Sequence, residues 1–228
     1  MKYDSIVSGR FLARPNRFVA HVEVAGKEEI VHVKNTGRCK ELLVPGATVY
    51  LQDWGEAHPN RKTRYDLIAV EKGSLLINMD SQAPNKVFAE WAQSGQFVEG
   101  LTLLRPEVKW GTSRFDFYWE AGARRGFVEV KGVTLEEGRH ARFPDAPTER
   151  GVKHLDELIQ TAQEGYEPAV CFVLQMEGMT AFSPNDETHP AFGAALRRAA
   201  QSGVRILAME CRVTPATLQI TKKVPAIF

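Results

Sequence analysis

Residues 113–131 read Ser113-Arg114-Phe115-Asp116-Phe117-Tyr118-Trp119-Glu120-Ala121-Gly122-Ala123-Arg124-Arg125-Gly126-Phe127-Val128-Glu129-Val130-Lys131. Side chains alternate across a strand, so Phe127, Glu129 and Lys131 share one face while Val128 and Val130 share the other. Ser113 to Trp119 alternates in the same way, and Glu120 to Gly126, with two glycines and two arginines, joins the two runs as a hairpin. With Trp119 opposite Gly126, Asp116 falls opposite Glu129, where cross-strand Cβ atoms stand roughly 4.5–5.5 Å apart. Two carboxylates at that spacing can hold one hard divalent ion, Mg²⁺ or Mn²⁺. Lys131 then orients an attacking water or offsets charge on a phosphate, and the constellation points to metal-assisted phosphodiester hydrolysis.

An E-x-K triplet alone carries almost no information, and Glu107-Val108-Lys109 repeats it here without an Asp one strand upstream. The informative unit is the ordered set: Asp on one strand, a hairpin, Glu-x-Lys on the next, then an amphipathic helix. That set resembles the PD-(D/E)xK nuclease core, with Phe115 standing where a Pro usually precedes the Asp. The competing reading is an exposed ion-pair ladder on an edge strand, which contributes little to stability.

The helix that follows carries Val152, Leu155, Leu158, Ile159 and Ala162 at helical spacing after Pro147. Its start offers Arg150, Lys153 and His154 near a helix N-terminus, where phosphate is favoured. A plain capped helix start accounts for Asp145 and Pro147 but not for Lys153 and His154. Beyond it, Ala169 to Leu174 is a continuous apolar run suited to a strand covered on both faces. Pro190 opens a second helix through Phe192, Ala195, Leu196 and Ala199, and Val204 to Met209 is the next strand. With a helix over Asn85 to Gln96, residues 82–228 read as an α/β layer domain.

Upstream the pattern changes to short strands with turn punctuation. Arg17 to Val24 alternates, with Phe18, Ala20, Val22 and Val24 on one face; Ala25-Gly26-Lys27 turns and Ile30 to Val33 returns. Ala47 to Leu51, Tyr65 to Val70 and Leu75 to Ile77 supply three more strands. Five short strands point to a small barrel over residues 1–81, with an OB-like barrel as the leading architecture. Three basic groups sit at its strand ends: Arg10, Arg14 and Arg17; Lys34, Arg38 and Lys40; Arg61, Lys62 and Arg64, with Phe11, Phe18 and Tyr65 interleaved. Cationic loops with aromatic platforms track a nucleic-acid backbone and stack bases, against the plainer alternative of a solvated surface.

The chain has 228 residues, 43% apolar and 25% charged, with a formal charge of +1, so no global field drives it onto a polyanion and any nucleic-acid site must be local. Cys39, Cys171 and Cys211 lack metal or redox spacing and read as reduced core thiols. The start carries Asp4 where a signal peptide would be basic and then apolar, and no run approaches a membrane span, which points to a cytoplasmic protein with no membrane partner.

Asn35-Thr36-Gly37, the Asp116 strand, Glu129-Val130-Lys131-Gly132-Val133-Thr134-Leu135, Phe143-Pro144-Asp145-Ala146-Pro147-Thr148-Glu149-Arg150-Gly151 with Lys153-His154-Leu155, and Phe182-Ser183-Pro184 together resemble the sugar fermentation stimulation protein A family. The resemblance implies an N-terminal OB fold joined to a PD-(D/E)xK nuclease-like domain, DNA binding with little sequence selectivity, and a link to regulation of sugar, notably maltose, metabolism. Carried onto this chain, it implies an acidic centre of Asp116, Glu129 and Lys131, with Glu90 on the preceding helix as an extra metal ligand. The expected nucleic-acid contacts are Arg14, Arg17, Lys34, Arg38, Lys40, Arg150, Lys153 and His154. Three functional readings stand at this point: a DNA binder with a nuclease-like metal site, an active Mg²⁺-dependent nuclease, and a transcriptional regulator without catalysis. The third would need a helix that enters the major groove, and helices at 147–164 and 190–202 lack helix-turn-helix spacing.

Overall fold

The structure, a computed structural model, describes residues 1–35, 37–55 and 61–228. β1 (Ile6–Asn16), β2 (Val19–Val24) and β3 (Lys27–Val33) form an antiparallel meander, followed by β4 (Thr48–Asp53) and β5 (Tyr65–Lys72). β4 pairs with β1 and β5 with β4, and β5 also runs parallel to β3 through Val31↔Tyr65 and Val33↔Leu67, which closes the sheet into a barrel. Closure leaves few backbone edges to template unwanted pairing. Phe11, Ala20, Val22, Val31, Val33, Val49, Leu51 and Leu67 fill the interior. The β2–β3 turn holds Ala25 and Gly26 both at positive φ, 50° and 79°, as a two-residue type I′ hairpin requires.

The fifth barrel strand is not the one expected from sequence. β6 (Leu75–Asn78) only extends the sheet beside β5, whereas β1 supplies two of the ladders that close the barrel. β1 escapes a period-two reading because register shifts after Phe11 and after Ala13 insert extra residues, and each such bulge resets the alternation. Phe18, expected on one face with Ala20 and Val22, departs from that face: it is 52% exposed, one residue before β2 begins, while Ala20 and Val22 are buried.

The second unit contains α1 (Ala83–Trp91), continued by a π turn over 92–96, then β7 (Leu103–Trp110), β8 (Ser113–Ala121) and β9 (Arg124–Val133). After β10 (Leu135–Glu137) and β11 (His140–Phe143) come α2 (Glu149–Gln163), β12 (Ala169–Leu174), β13 (Ala181–Pro184), α3 (Pro190–Gln201), β14 (Arg205–Thr214) and β15 (Thr217–Lys223). The main sheet has the order β15-β14-β12-β9-β8-β7, with β9, β12 and β14 mutually parallel. All six residues of β12 are buried, as a strand covered on both faces must be. α1 packs Val87, Phe88 and Trp91 over Phe117, Trp119, Val128 and Val130, while α2 and α3 cover the opposite face. β10, β11 and β13 form a separate three-stranded sheet.

Three details differ from expectation. Met1 to Tyr3, placed with the barrel by the 1–81 boundary, instead run beside β15: Lys2 bridges Thr217, and the Tyr3 amide donates to the Ala216 carbonyl at 2.8 Å. Such pairing between chain ends leaves no local signal. The α2 cap is Thr148, whose side-chain oxygen accepts from the Gly151 amide at 3.1 Å, and not Asp145. The connection between β8 and β9 narrows to Gly122-Ala123, because Ala121 already pairs with Arg124. All three cysteines are buried and free, and burial pushes the Cys39 thiol up to about 12.

The barrel and the nuclease-like unit share one apolar cluster and several polar ties. The Asn78 amide donates to the Gln175 carbonyl at 2.9 Å, and Lys72 Nζ donates to Glu136 Oε1 at 2.6 Å while the Arg139 amide reaches Oε2 at 3.1 Å. Burial works to raise the Glu136 carboxyl, but the Lys72 ammonium and the Arg139 N–H outweigh it and hold it below its ordinary value. A carboxyl depressed in the folded state stabilises the fold fully above its unfolded pKa of about 4.3 and loses that contribution as pH falls through the folded value. Glu136→Gln is therefore expected to lower the melting temperature at pH 6, with the gap to wild type closing as pH drops below about 4. A gap that stays constant between pH 6 and pH 3 would show that the Lys72 ion pair contributes nothing.

Candidate metal centre and nucleic-acid interface

The β8–β9 hairpin has the register read from sequence, with Trp119 opposite Gly126. Gly126 is required there, since a Cβ would overlap the Glu167 carbonyl and crowd Trp119 Nε1. The ladder runs from Ala121↔Arg124 to Phe117↔Val128 and stops. One step further, Asp116 substitutes its side chain for the missing backbone partner: Oδ2 accepts from the Val130 amide at 2.7 Å and Oδ1 from Asn85 Nδ2 at 2.9 Å. Alternation breaks at the same point. Phe117 and Trp119 pack in the α1-side core, whereas Phe115 packs against Phe127 and His154 on the α2 side. Asp116 thus stands where the two strands part, at the mouth of a fork.

Glu129 lies in that fork, 3% exposed. Its Oε1 receives Lys131 Nζ at 2.6 Å and His154 Nδ1 at 2.5 Å, and Arg150 Nε reaches His154 Nε2 at 3.3 Å. Arg150 and Glu129 thus hold the His154 ring from its two nitrogens and fix its orientation. Glu129 Oε2 is buried with no hydrogen-bond partner among the described residues. A buried carboxylate oxygen left unpaired is costly, and a cation is one group that satisfies it.

The electrostatics of the pair point the same way. Burial first, and then the Glu129 charge, raise the Asp116 carboxyl above its ordinary value, against the Val130 amide, Asn85 and Lys131. Burial also works to raise Glu129, but His154 and Lys131 overcome it and keep this carboxyl low. Half-buried Asp116, its carboxyl raised beside a Glu129 carboxyl held low, gains from a nearby cation. Among the described residues no group of three or more His, Cys, Asp or Glu side chains is placed to hold a metal. The donor set is hard oxygen from two carboxylates, which suits a partly hydrated Mg²⁺ or Mn²⁺ better than a softer ion needing His or Cys.

Glu90 does not join this site. It receives the Met1 ammonium at 2.6 Å and is 56% exposed in its side chain. The α1 residue that reaches Asp116 is Asn85, and five residues at about 100° each put Glu90 roughly 140° around the helix from it.

The expected nucleic-acid contacts divide sharply. Arg14 donates to four backbone carbonyls, of Arg17, Asn35, Gly37 and Arg38, at 2.7–3.0 Å, so it builds a loop and is not free to meet phosphate. Lys34 is held by Asp80 at 2.7 Å and Asp66 at 3.7 Å, its side chain 13% exposed. His154 is buried against Glu129. Arg10, Arg61 and Arg64 are paired with Glu23, Asp66 and Asp53. Lys153 is exposed and 3.7 Å from Glu157, and Arg150 is exposed with its Nε turned to His154. Arg17, Arg38 and Lys40 are exposed and form no ion pair among the described residues. Asn35 Oδ1 accepts from the Gly37 amide at 2.7 Å, closing the expected turn, while Thr36 lies outside the described residues.

Sequence reasoning missed Asn85 and the role of His154. It also missed a buried polar network in which Asp80 accepts from Lys34 and Tyr3, and Asn78 accepts from Gln175. His154 alone left a trace, as a polar residue one turn before Leu158 on the apolar stripe of α2.

Two family models match this chain: "Sugar fermentation stimulation protein RE domain" over residues 82–217 and "SfsA N-terminal OB domain" over residues 12–79. A sugar fermentation stimulation protein homolog from Desulfitobacterium hafniense (strain Y51) is 60% identical over 219 residues, covering 96% of this chain and 95% of the relative. The homolog from Clostridium beijerinckii is 52% identical over 228 residues and covers both chains completely. Among solved structures, that of Pyrococcus furiosus SfsA in complex with Ca²⁺ matches with a TM-score of 0.90 at 28% identity, over 100% of this chain and 98% of the other.

Proposed function

We propose, from the premise that this chain belongs to the sugar fermentation stimulation protein family, that it binds DNA with little sequence selectivity and holds one divalent cation between Asp116 and Glu129. The observation that carries the metal reading is Glu129 Oε2, buried and unpartnered beside a second acid that its charge raises. The Ca²⁺ named for the Pyrococcus furiosus relative supports a divalent ion. A bound Mg²⁺ would supply Lewis-acid polarisation of a phosphate oxygen. Around it, His154 and Arg150 fix the Glu129 carboxylate, Asn85 and the Val130 amide fix Asp116, and the Lys131 ammonium stands by to offset phosphate charge.

DNA as partner follows from the nuclease-like fold and from the free cations of the barrel. Readout of a specific operator is disfavoured, because β12 and β13 separate α2 from α3 and the two form no helix-turn-helix. Among the described residues no helix is long and apolar enough to cross a membrane.

Calorimetric titration with Mn²⁺ tests the metal reading. Wild type is expected to bind one ion, and Glu129→Gln to bind at least about tenfold more weakly, since removing a ligand charge costs more than about 1.4 kcal/mol. Equal affinity in the two proteins would move the site elsewhere. The second reading, hydrolysis of the bound phosphodiester, is favoured by Lys131 Nζ lying 2.6 Å from the same carboxylate.

A further inference from the structure

The free cations of the barrel surround a groove that the metal centre does not account for. It encloses about 720 Å³, and none of the described residues that line it is acidic. Leu12, Leu43 and Val44 contribute apolar surface, and Val44 is 47% exposed. Arg17, Arg38 and Lys40 line the same groove and have no ion-pair partner among the described residues. Arg14, tied to four carbonyls of the surrounding loops, shapes the wall and leaves its Nε buried without a partner among the described residues. Ala146, just before the α2 cap, belongs to the lining as well, so the groove reaches from the barrel to the nuclease-like unit. At Gly37 it adjoins a second cavity of about 170 Å³ that touches Gly132, the neighbour of Lys131.

We infer that this groove seats a single strand of nucleic acid and leads it past Gly37 toward the strand that carries Lys131. The inference rests on the DNA-binding reading and narrows its partner to the unpaired form. A duplex turns its phosphates outward and keeps its bases stacked inside, so it offers cations a partner but leaves an apolar floor unfilled. An unpaired strand satisfies both: its phosphates meet Arg17, Arg38 and Lys40, and its bases lie against Leu12, Leu43 and Val44. The one aromatic side chain among the described lining residues, Phe11, is 1% exposed, so contact with the bases is aliphatic and tolerant of sequence. The volume lies within the range of pockets that enclose a small ligand, about 300–1,000 Å³, which suits a few nucleotides at a time.

Fluorescence anisotropy in EDTA separates this from the metal chemistry. The probes are an oligothymidylate of about 16 nucleotides, the upper site size of one OB fold, and a blunt duplex of equal length. Wild type is expected to bind the single strand at least about tenfold more tightly than the duplex. Arg17→Gln/Arg38→Gln/Lys40→Gln should lose at least about tenfold for the single strand and flatten its log–log salt slope by about 2, near 0.7 per lost phosphate contact. Val44→Asp should weaken single-strand binding with duplex binding unchanged. All these residues are on the surface, and a wild-type melting temperature certifies each variant. A triple variant that holds the single strand as tightly as wild type overturns the groove, and a wild type that prefers duplex overturns the choice of partner. A wild type that binds neither probe overturns the DNA-binding reading itself.

Discussion

Asp116→Asn is expected to abolish Mg²⁺-dependent cleavage while leaving DNA affinity in EDTA at the wild-type level. The substitution keeps the shape of the side chain: its remaining oxygen accepts from the Val130 amide, and a turn of the Asn85 amide presents an acceptor to the new NH2 group. It removes one of the two charges that would hold the metal. Loss of about 4 kcal/mol of transition-state stabilisation corresponds to a rate lower by about a thousandfold. Lys131→Ala should reach a comparable loss by a different route, because the ammonium at 2.6 Å from Glu129 is the group placed to offset charge on the phosphate. The assay needs single-stranded, duplex and branched substrates with Mg²⁺, Mn²⁺ and EDTA. Cleavage by Asp116→Asn at the wild-type rate would place the active site on other residues. If wild type cuts none of the substrates with either metal, the hydrolytic reading falls, while metal binding and DNA binding stand on their own tests.

Phe172→Ala should produce the largest loss of stability, about 3–5 kcal/mol. Phe172 is fully buried in β12, stacked on Phe182 at 4.3 Å between ring centroids and in contact with Phe143 and Phe192. Truncation leaves a cavity among three rings that come from β11, β13 and α3, so no single element can move to fill it. For a chain of this length each 1 kcal/mol shifts the melting temperature by about 2–4 °C, so a fall of roughly 6–20 °C is expected. Phe18→Ala serves as the control: at 52% exposure its effect should stay within about 0.5 kcal/mol. Phe172 also lies opposite Lys131 in the β9–β12 ladder. The aromatic cluster therefore backs the strand that presents the site, and a Phe172→Ala protein that still folds at low temperature should hold Mn²⁺ more weakly as well as melt earlier. A shift below about 2 °C would mean that the surrounding rings collapse into the space.

Much of this protein follows from short-range pattern. The Trp119↔Gly126 register, the β2–β3 hairpin, the apolar stripe of α2 and the doubly covered strand β12 all emerge from spacing over a few residues, because alternation and helical periodicity are properties of the local backbone. The nearness of Asp116 to Glu129 belongs to this group, since one hairpin carries both residues, although the backbone ladder ends one step short of them. What spacing could not settle was which groups remain free. Arg14, Arg17 and Arg38 look alike as cations in sequence, yet Arg14 is spent on four carbonyls of loops that only the closed barrel assembles. Lys34 is drawn between Asp66 and Asp80, and His154 is turned inward to Glu129. Asn85, not Glu90, meets Asp116 because the angular position of α1 on the sheet is set by Val87, Phe88 and Trp91 packing on Phe117 and Trp119. β1 was hidden for a related reason: its bulges are defined by the partner strands, not by its own residues. Local pattern settled the β2–β3 and β8–β9 hairpins, the apolar stripe of α2 and strand β12. Tertiary structure decided the availability of each polar group, since a buried donor or acceptor takes whatever partner the long-range packing brings within about 3 Å, and that partner is seldom near in the chain.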